Sequence, residues 1–223
     1  MAKPHLRLYL DTADVTEWQN WLPTGLFYGV TCNPLLLERA GVTCSADTLK
    51  GLAQQGFELE AQEVHLQAWG DSSGDLLHMG QILGGIDPRI VVKLPATQQG
   101  TTAAKTLIQD RIPVTITAVY TVHQALIAAA IGAHYAAPYL GRINDSGKDG
   151  HQEVTLMQQA LNGVRSETRL LTASIRNMTD IPRLATQGVD TFTFSPAIAQ
   201  ALFNVPETIA ATADFERAAK AMA

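Results

Sequence analysis

Lys93 lies inside Ile90-Val91-Val92-Lys93-Leu94-Pro95, a mostly β-branched apolar run closed by a proline. Such a run predicts a strand buried on both faces. Burial penalises the charged form of a lone ammonium. The lysine must therefore be paired, reach solvent at a strand end, or serve as a neutral amine. A neutral amine attacks carbonyl carbon and forms a Schiff base. Bringing its pKa from about 10.4 to about 7–8 takes roughly 3–5 kcal/mol of differential stabilisation. The structural alternative is a lysine held by an acid on a neighbouring strand.

Other polar residues fall at the ends of β-type runs, where a pure core has no use for them: Asp11, Thr31, Asn33, Gln67, Thr117, Tyr139, Arg142, Ser174 and Arg176. Each also has a plain structural reading. Asp11 can cap the following helix, and Asn33-Pro34 is a common turn pair. Thr117 suits any strand, Tyr139 can pack the interior, and Arg142 can pair with Asp145 at the surface. Taken together around one lysine, they form a reagent set. An iminium at Lys93 needs a proton carrier, supplied by Asp11 or by a water held by Gln67, Thr117 and Tyr139. Asn33 offers an amide for sugar hydroxyls. Arg142 and Arg176, with Ser174, offer a phosphate clamp, because guanidinium matches phosphate oxygens bidentately.

Short β-type runs recur along the chain near Leu6–Leu10, Tyr28–Cys32, Val64–Ala68, Ile90–Leu94, Val114–Val119, Tyr135–Tyr139, Leu170–Ser174 and Thr191–Phe194. Longer helix-compatible segments separate them, such as 101–109 and the alanine-rich 122–130. Gly132 and Gly188 read as helix exits. Eight strands alternating with helices predict an α/β fold of the (β/α)8 TIM-barrel type, whose C-terminal strand ends would carry the polar set. A doubly wound sheet is the rival, but Leu10-Asp11-Thr12-Ala13-Asp14 lacks its glycine-rich first turn. No linker or low-complexity stretch divides residues 1–223. One domain is expected, followed by an alanine-rich helix at about 206–222 that could serve assembly.

Composition narrows the function classes. The 223 residues are 46% hydrophobic and 17% charged, as expected for a globular chain with a sizeable core. A net charge of -5 leaves no basic footprint for nucleic acid. Cys32 and Cys44 form neither a disulfide framework nor a Cys-x-x-Cys pair, and Cys32 reads as a small core residue. The six histidines lack metal-ligand spacing, so no metal is expected. Neither a signal-type stretch before Asp11 nor a membrane-length apolar run is evident, so a cytoplasmic protein is expected.

Five motifs, in consistent order from about residue 6 to Pro196, resemble the transaldolase family. They are Leu-Tyr-Leu-Asp-Thr-Ala-Asp (8–14), Gly-Val-Thr-Cys-Asn-Pro (29–34), Val-Val-Lys-Leu-Pro-Ala-Thr (91–97), Ala-Pro-Tyr-Leu-Gly-Arg-Ile (137–143) and Thr-Ala-Ser-Ile-Arg-Asn (172–177). The resemblance is nearest the fructose-6-phosphate aldolase and small-transaldolase branch. It implies a class I aldolase on a (β/α)8 barrel with no metal or organic cofactor. It implies Lys93 as Schiff-base lysine, Asp11 as proton-transfer carboxylate, Asn33 as hydroxyl-binding amide, and Arg142 and Arg176 beside Ser174 as phosphate ligands. The family's transaldolases usually carry glutamate at the place of Gln67 and phenylalanine at the place of Tyr139. Glutamine and tyrosine there resemble the fructose-6-phosphate aldolases, and Trp69 close by is unusual and could narrow the pocket.

The expectation is therefore aldol cleavage of fructose 6-phosphate into glyceraldehyde 3-phosphate and dihydroxyacetone. Transaldolase proper, which would keep the three-carbon unit on lysine until an aldehyde accepts it, is the alternative. A barrel that binds sugar phosphates without turning them over is the remote one. The resemblance also implies a homo-oligomer.

Overall fold

The computed structural model describes residues 6–222. Eight parallel strands close into one barrel in sequence order: β1 Arg7–Asp11, β2 Gly29–Thr31, β3 Glu63–Gln67, β4 Ile90–Pro95, β5 Val114–Val119, β6 Tyr135–Pro138, β7 Arg169–Thr172 and β8 Thr191–Phe194. β8 pairs back onto β1, with Tyr9 beside Thr193. The expected (β/α)8 barrel is the observed one. Residues 1–5 and 223 of the expected domain lie outside the described residues.

The main core lies between the barrel wall and the helices around it. Those helices are α1 Val15–Trp21, α2 Pro34–Arg39, α3 Ala46–Glu58, α4 Ser73–Gly84, α5 Gln98–Gln109, α6 Val122–Ile131, α7 Leu140–Asp145, α8 Gly150–Gly163, α9 Asp180–Ala185 and α10 Pro196–Leu202. Outward strand residues such as Leu10, Val30, Leu66, Val92 and Phe192 are fully buried against them. Trp69 packs against this core. The inward residues form a smaller cluster of Tyr9, Val91, Tyr135, Ala137 and Leu171. Between strands and helices, side-chain caps fix where the chain turns. Asp14 rather than Asp11 caps α1, accepting from the Thr16 amide, so the plain structural reading of Asp11 does not hold. Ser72 and Asp75 close a capping box on α4. Gly132 ends α6 in the left-handed conformation, at φ 78°, as its position between alanine-rich helix and strand predicts.

Strand ends differ from the expected bounds where the chemistry gathers. Tyr139 is not the last residue of β6. It N-caps α7, held to Ala173 by one isolated bridge. Ser174 lies beyond β7, at φ 57°. Cys32 lies one residue past β2. In β5 the register against β6 shifts between Ile116 and Val119, and Ala118 sits at φ 57°. Bulges of this kind re-aim neighbouring side chains. Two non-glycine residues in the left-handed region, each costing about 1–2 kcal/mol, thus flank Tyr139, one on β5 and one just past the end of β7.

One further helix, α11 Pro206–Met222, follows the barrel, as the alanine-rich 206–222 segment predicts. None of its residues is buried, and Ile209 and Phe215 stand exposed.

Candidate active site

At the C-terminal end of the barrel a cavity of about 340 Å³ opens over Lys93. Its wall includes Asp11, Asn33, Thr117, Tyr139, Arg142, Ser174 and Arg176. Eight of the ten residues singled out from the sequence, counting Lys93, thus share one space.

Lys93 is 5% exposed, and its Nζ donates to the Cys32 carbonyl at 2.8 Å. It forms no ion pair among the described residues. The structural reading, a lysine held by an acid, is therefore not what the fold provides. A carbonyl accepts from the lysine nitrogen and fixes its direction. β4 places it there because the strand alternates about its wall, so that Val91 and Lys93 face inward while Ile90, Val92 and Leu94 face the helices.

Asp11 ends β1 beside Thr31. Thr31 Oγ1 donates to Asp11 Oδ1 at 2.7 Å and lies 2.6 Å from Thr193 Oγ1. A hydroxyl carries one proton, so Thr193 must donate to Thr31 in turn. Thr31 is completely buried and does not line the cavity. It orients Asp11 from behind. Thr193 lines the cavity and was not singled out from the sequence. The signal for it was there, in the polar–apolar alternation of Thr191-Phe192-Thr193-Phe194.

Asn33 N-caps α2, and its Oδ1 accepts from the Leu36 amide at 3.1 Å. The cap occupies the oxygen, which leaves the amide NH2 as the end free to donate into the cavity. Thr117 Oγ1 and Tyr139 OH lie 2.8 Å apart, so the two hydroxyls act as one unit facing the lysine's space. Gln67 stands beside Lys93 in the β3–β4 register, yet it does not line the cavity. Trp69 does not narrow the cavity either.

The cationic end comes from two segments held close by glycine. A Cβ on Gly141 would meet the Ser174 carbonyl at 2.6 Å and Arg176 Nε at 2.7 Å, so only glycine lets α7 approach the turn after β7. Arg142 is exposed and stacks over the Tyr139 ring, 5.0 Å from its centroid. It does not pair with Asp145. That carboxylate instead holds Arg176 in a two-pronged ion pair, and the hydrogen bonds from Arg176 lower the Asp145 pKa. Arg39, at the end of α2, also reaches the cavity.

Buried Cys32 is no competing nucleophile, because burial pushes its thiol up to about 12. Among the described residues no group of three or more His, Cys, Asp or Glu is placed to hold a metal ion. No described helix is long and apolar enough to cross a membrane.

A (β/α)8 barrel with a buried lysine on β4 under a hydroxyl- and arginine-lined mouth defines the class: a small-molecule site at the C-terminal face. The family model described as Transaldolase/Fructose-6-phosphate aldolase matches residues 8–223, and the chain belongs to that family. It is similar to a "Probable transaldolase" of Phenylobacterium zucineum, 32% identical over 203 residues and covering 91% of each chain. One from Thermoplasma acidophilum is 30% identical over 210 residues, covering 94% of this chain and 93% of that one. Among solved structures, a flavocytochrome b2 variant with sulfite bound superposes with a TM-score of 0.57 at 10% identity. This chain covers 56% of that longer one with 85% of its own length, a likeness of fold alone. Family membership supports an enzyme acting on sugar phosphates. The family's description names both transfer and aldol cleavage, and membership selects neither.

Proposed function

We propose that the chain is a cofactor-free, Schiff-base aldolase that cleaves and forms fructose 6-phosphate from dihydroxyacetone and glyceraldehyde 3-phosphate. The observation that carries this reading is the Thr117–Tyr139 hydroxyl pair at 2.8 Å in the same cavity as Lys93. Lys93 attacks the ketone carbon and water leaves, giving an iminium. The C3–C4 electron pair then moves into that iminium as the C4 hydroxyl gives up its proton. Asp11, held by Thr31, takes and returns protons at this step. The Asn33 amide donates to the hydroxyls of the three-carbon unit. Arg142 and Arg176 bind the phosphate, with Ser174 between them. The enamine left on Lys93 takes a proton at C3 and becomes an iminium again; Tyr139, paired with Thr117, holds the water that then adds to it, and departure of the lysine amine releases dihydroxyacetone. Gln67, next to Lys93 in register, has a secondary part in ordering that water.

The second reading is transaldolase proper, favoured by the printed names of the relatives. The two differ in the fate of the three-carbon unit. Fructose 6-phosphate is supplied first without an acceptor and then with erythrose 4-phosphate, with Lys93→Met as control. Glyceraldehyde 3-phosphate and free dihydroxyacetone without acceptor support the aldolase. Turnover only after acceptor addition establishes the transferase. For α11, which buries nothing against its own barrel, docking on a second copy is the proposed role. Sedimentation of the full chain beside one ending at residue 205 tests it, with a smaller assembly expected for the shorter chain.

A further inference from the structure

Hydrogen-bond direction gives the cavity over Lys93 two kinds of wall. Lys93, the Asn33 amide, Arg39, Arg142 and Arg176 present donors. Thr117 and Tyr139 hold two hydroxyl protons and spend one on the bond between them, so one is left to donate. The side formed by β8 and β1 is the reverse. Asp11 accepts from Thr31, and Thr31, its one proton spent, accepts from Thr193. The Thr193 proton is thereby spent as well. Thr193 Oγ1 has only lone pairs left for the cavity it lines, so a group met there must donate.

Depth decides which group that is. Thr193 Oγ1 is 2.6 Å from Thr31 Oγ1, and the carbonyl of the next residue, Cys32, is 2.8 Å from Lys93 Nζ. Thr193 therefore stands near the level of the amine. Asp11 lies two residues nearer the mouth than Tyr9, the register partner of Thr193. Other side chains near the amine are spent or apolar. Thr31 and Thr115 are completely buried and do not line the cavity, and Thr115 Oγ1 lies 3.1 Å from His65 Nδ1. Ala137, which faces the cavity from β6, carries no polar side-chain atom. Lower still, Tyr9 and Tyr135 donate to Glu63 Oε2 at 2.8 and 2.7 Å. Burial opposes charge on Glu63, but hydrogen bonds from His65, Tyr135 and Tyr9 outweigh it and hold the carboxyl at about 2.

A ketose 6-phosphate bound through Lys93 has a fixed sense. Arg142 and Arg176 are exposed at the mouth and draw the phosphate end outward. C2 is tied to Lys93 Nζ, so C1 is the innermost carbon, and the proton of its hydroxyl needs an acceptor at the depth of the amine. We propose that Thr193 accepts the hydrogen bond of the C1 hydroxyl, and so makes the site select a ketone with hydroxyls on both flanking carbons. This rests on the Schiff-base reading of Lys93 and holds for cleavage and transfer alike. Thr193 is thus a specificity-determining residue for the three-carbon unit. Asn33 supplies the complementary contact, donating to a hydroxyl oxygen while Thr193 takes a hydroxyl proton. Dihydroxyacetone satisfies Thr193, whereas hydroxyacetone puts a methyl group against it and leaves its lone pairs unmet.

The test is borohydride trapping of each ketone on Lys93 of the folded full chain, titrated with ketone and read by mass spectrometry. Thr193→Val keeps the shape of the side chain and removes the acceptor. Its half-saturating concentration for dihydroxyacetone is expected to rise about 10-fold relative to that for hydroxyacetone. Thr193→Ser should restore the wild-type ratio, and Thr193→Ala carries the same prediction as valine if valine perturbs the strand. A Thr193 that only props Thr31 and Asp11 would weaken both ketones alike. An unmoved ratio therefore overturns the proposal, and it is also the result expected if the Cys32 carbonyl is the acceptor. A wild type that traps neither ketone overturns the Schiff-base reading itself, and this inference with it.

Discussion

The two ends of the barrel interior handle polar groups in opposite ways. At the N-terminal end Arg7, Tyr9, Glu63, His65 and Tyr135 direct most of their hydrogen bonds at one another, with His65 also meeting Thr115 and only Arg7 Nε left without a partner in this group, and the rings pack edge to face. At the C-terminal end Asn33 keeps an amide group, Lys93 an amine, and Arg142 a guanidinium, each facing open space. A cavity lined by Arg7, Glu63 and Arg169 at the N-terminal end is the larger, about 920 Å³ against about 340 Å³. Size therefore does not mark the reactive end. What marks it is donors and acceptors left over after the fold has been satisfied, since polar groups that stabilise a fold are the ones already paired.

Variants at the two ends are expected to fail in different assays. Lys93→Met is the most severe for chemistry. Loss of all borohydride-trappable adduct and a fall in turnover of about 10⁴-fold or more are expected, with the folded state kept, as circular dichroism would report. Activity above a tenth of wild type would remove Lys93 from the mechanism.

Glu63→Gln is the counterpart below, expected to cost about 2–4 kcal/mol of unfolding free energy in urea titrations. Its pH signature follows from the sign of the shift. With the folded carboxyl held at about 2 against an ordinary 4.5, its contribution is full above pH 4.5 and is lost as pH falls towards 2. His65, held below its ordinary value, adds a loss of stability that begins as pH drops through 6.5. The variant should flatten the acid limb below pH 4.5. An unchanged limb would mean that the cluster below is not the molecule's stabilising end.

Tyr139→Phe sharpens the comparison within the upper end. Release of free dihydroxyacetone should fall about 10-fold or more while transfer to erythrose 4-phosphate persists or rises. Equal rates before and after would leave the Thr117–Tyr139 pair without a role in hydrolysis. Asp145→Asn gives the smallest effect. Freed from its two-pronged partner, Arg176 should lower the KM for fructose 6-phosphate about 2–3-fold at low salt, and less at high salt. A raised KM would show that Asp145 is needed to aim Arg176.

Much of the upper end was legible because it is written locally. Lys93 among β-branched residues, Asn33 before proline and the paired arginines after β6 and β7 each stand out within a few residues. The lower cluster was written across strands. Arg-Leu-Tyr-Leu-Asp, Glu-Val-His-Leu-Gln and Thr-Phe-Thr-Phe all alternate polar with apolar. Parallel strands are usually read as continuous apolar runs, so the alternation went unused. It is the mark of a barrel whose inner face is polar. Which of those inward residues meet depends on register, and no spacing along one strand records it. The same limit applies to Asp145, whose choice of Arg176 over the nearer Arg142 is made by the fold. The register shift in β5 was equally hidden, as were the start of α7 at Tyr139 and the end of β7 before Ser174.

The hydrogen bond between Thr31 and Thr193 joins residues 162 positions apart. It spans the seam where the last strand meets the first, the costliest loop in the chain to close. Asp11 accepts from Thr31, and Thr31 in turn accepts from Thr193, so the last strand to be made completes the line of hydroxyls behind that carboxylate. A chain still emerging from the ribosome already holds Lys93, Asp11 and Thr31, but not the hydroxyl that fixes Thr31 from behind.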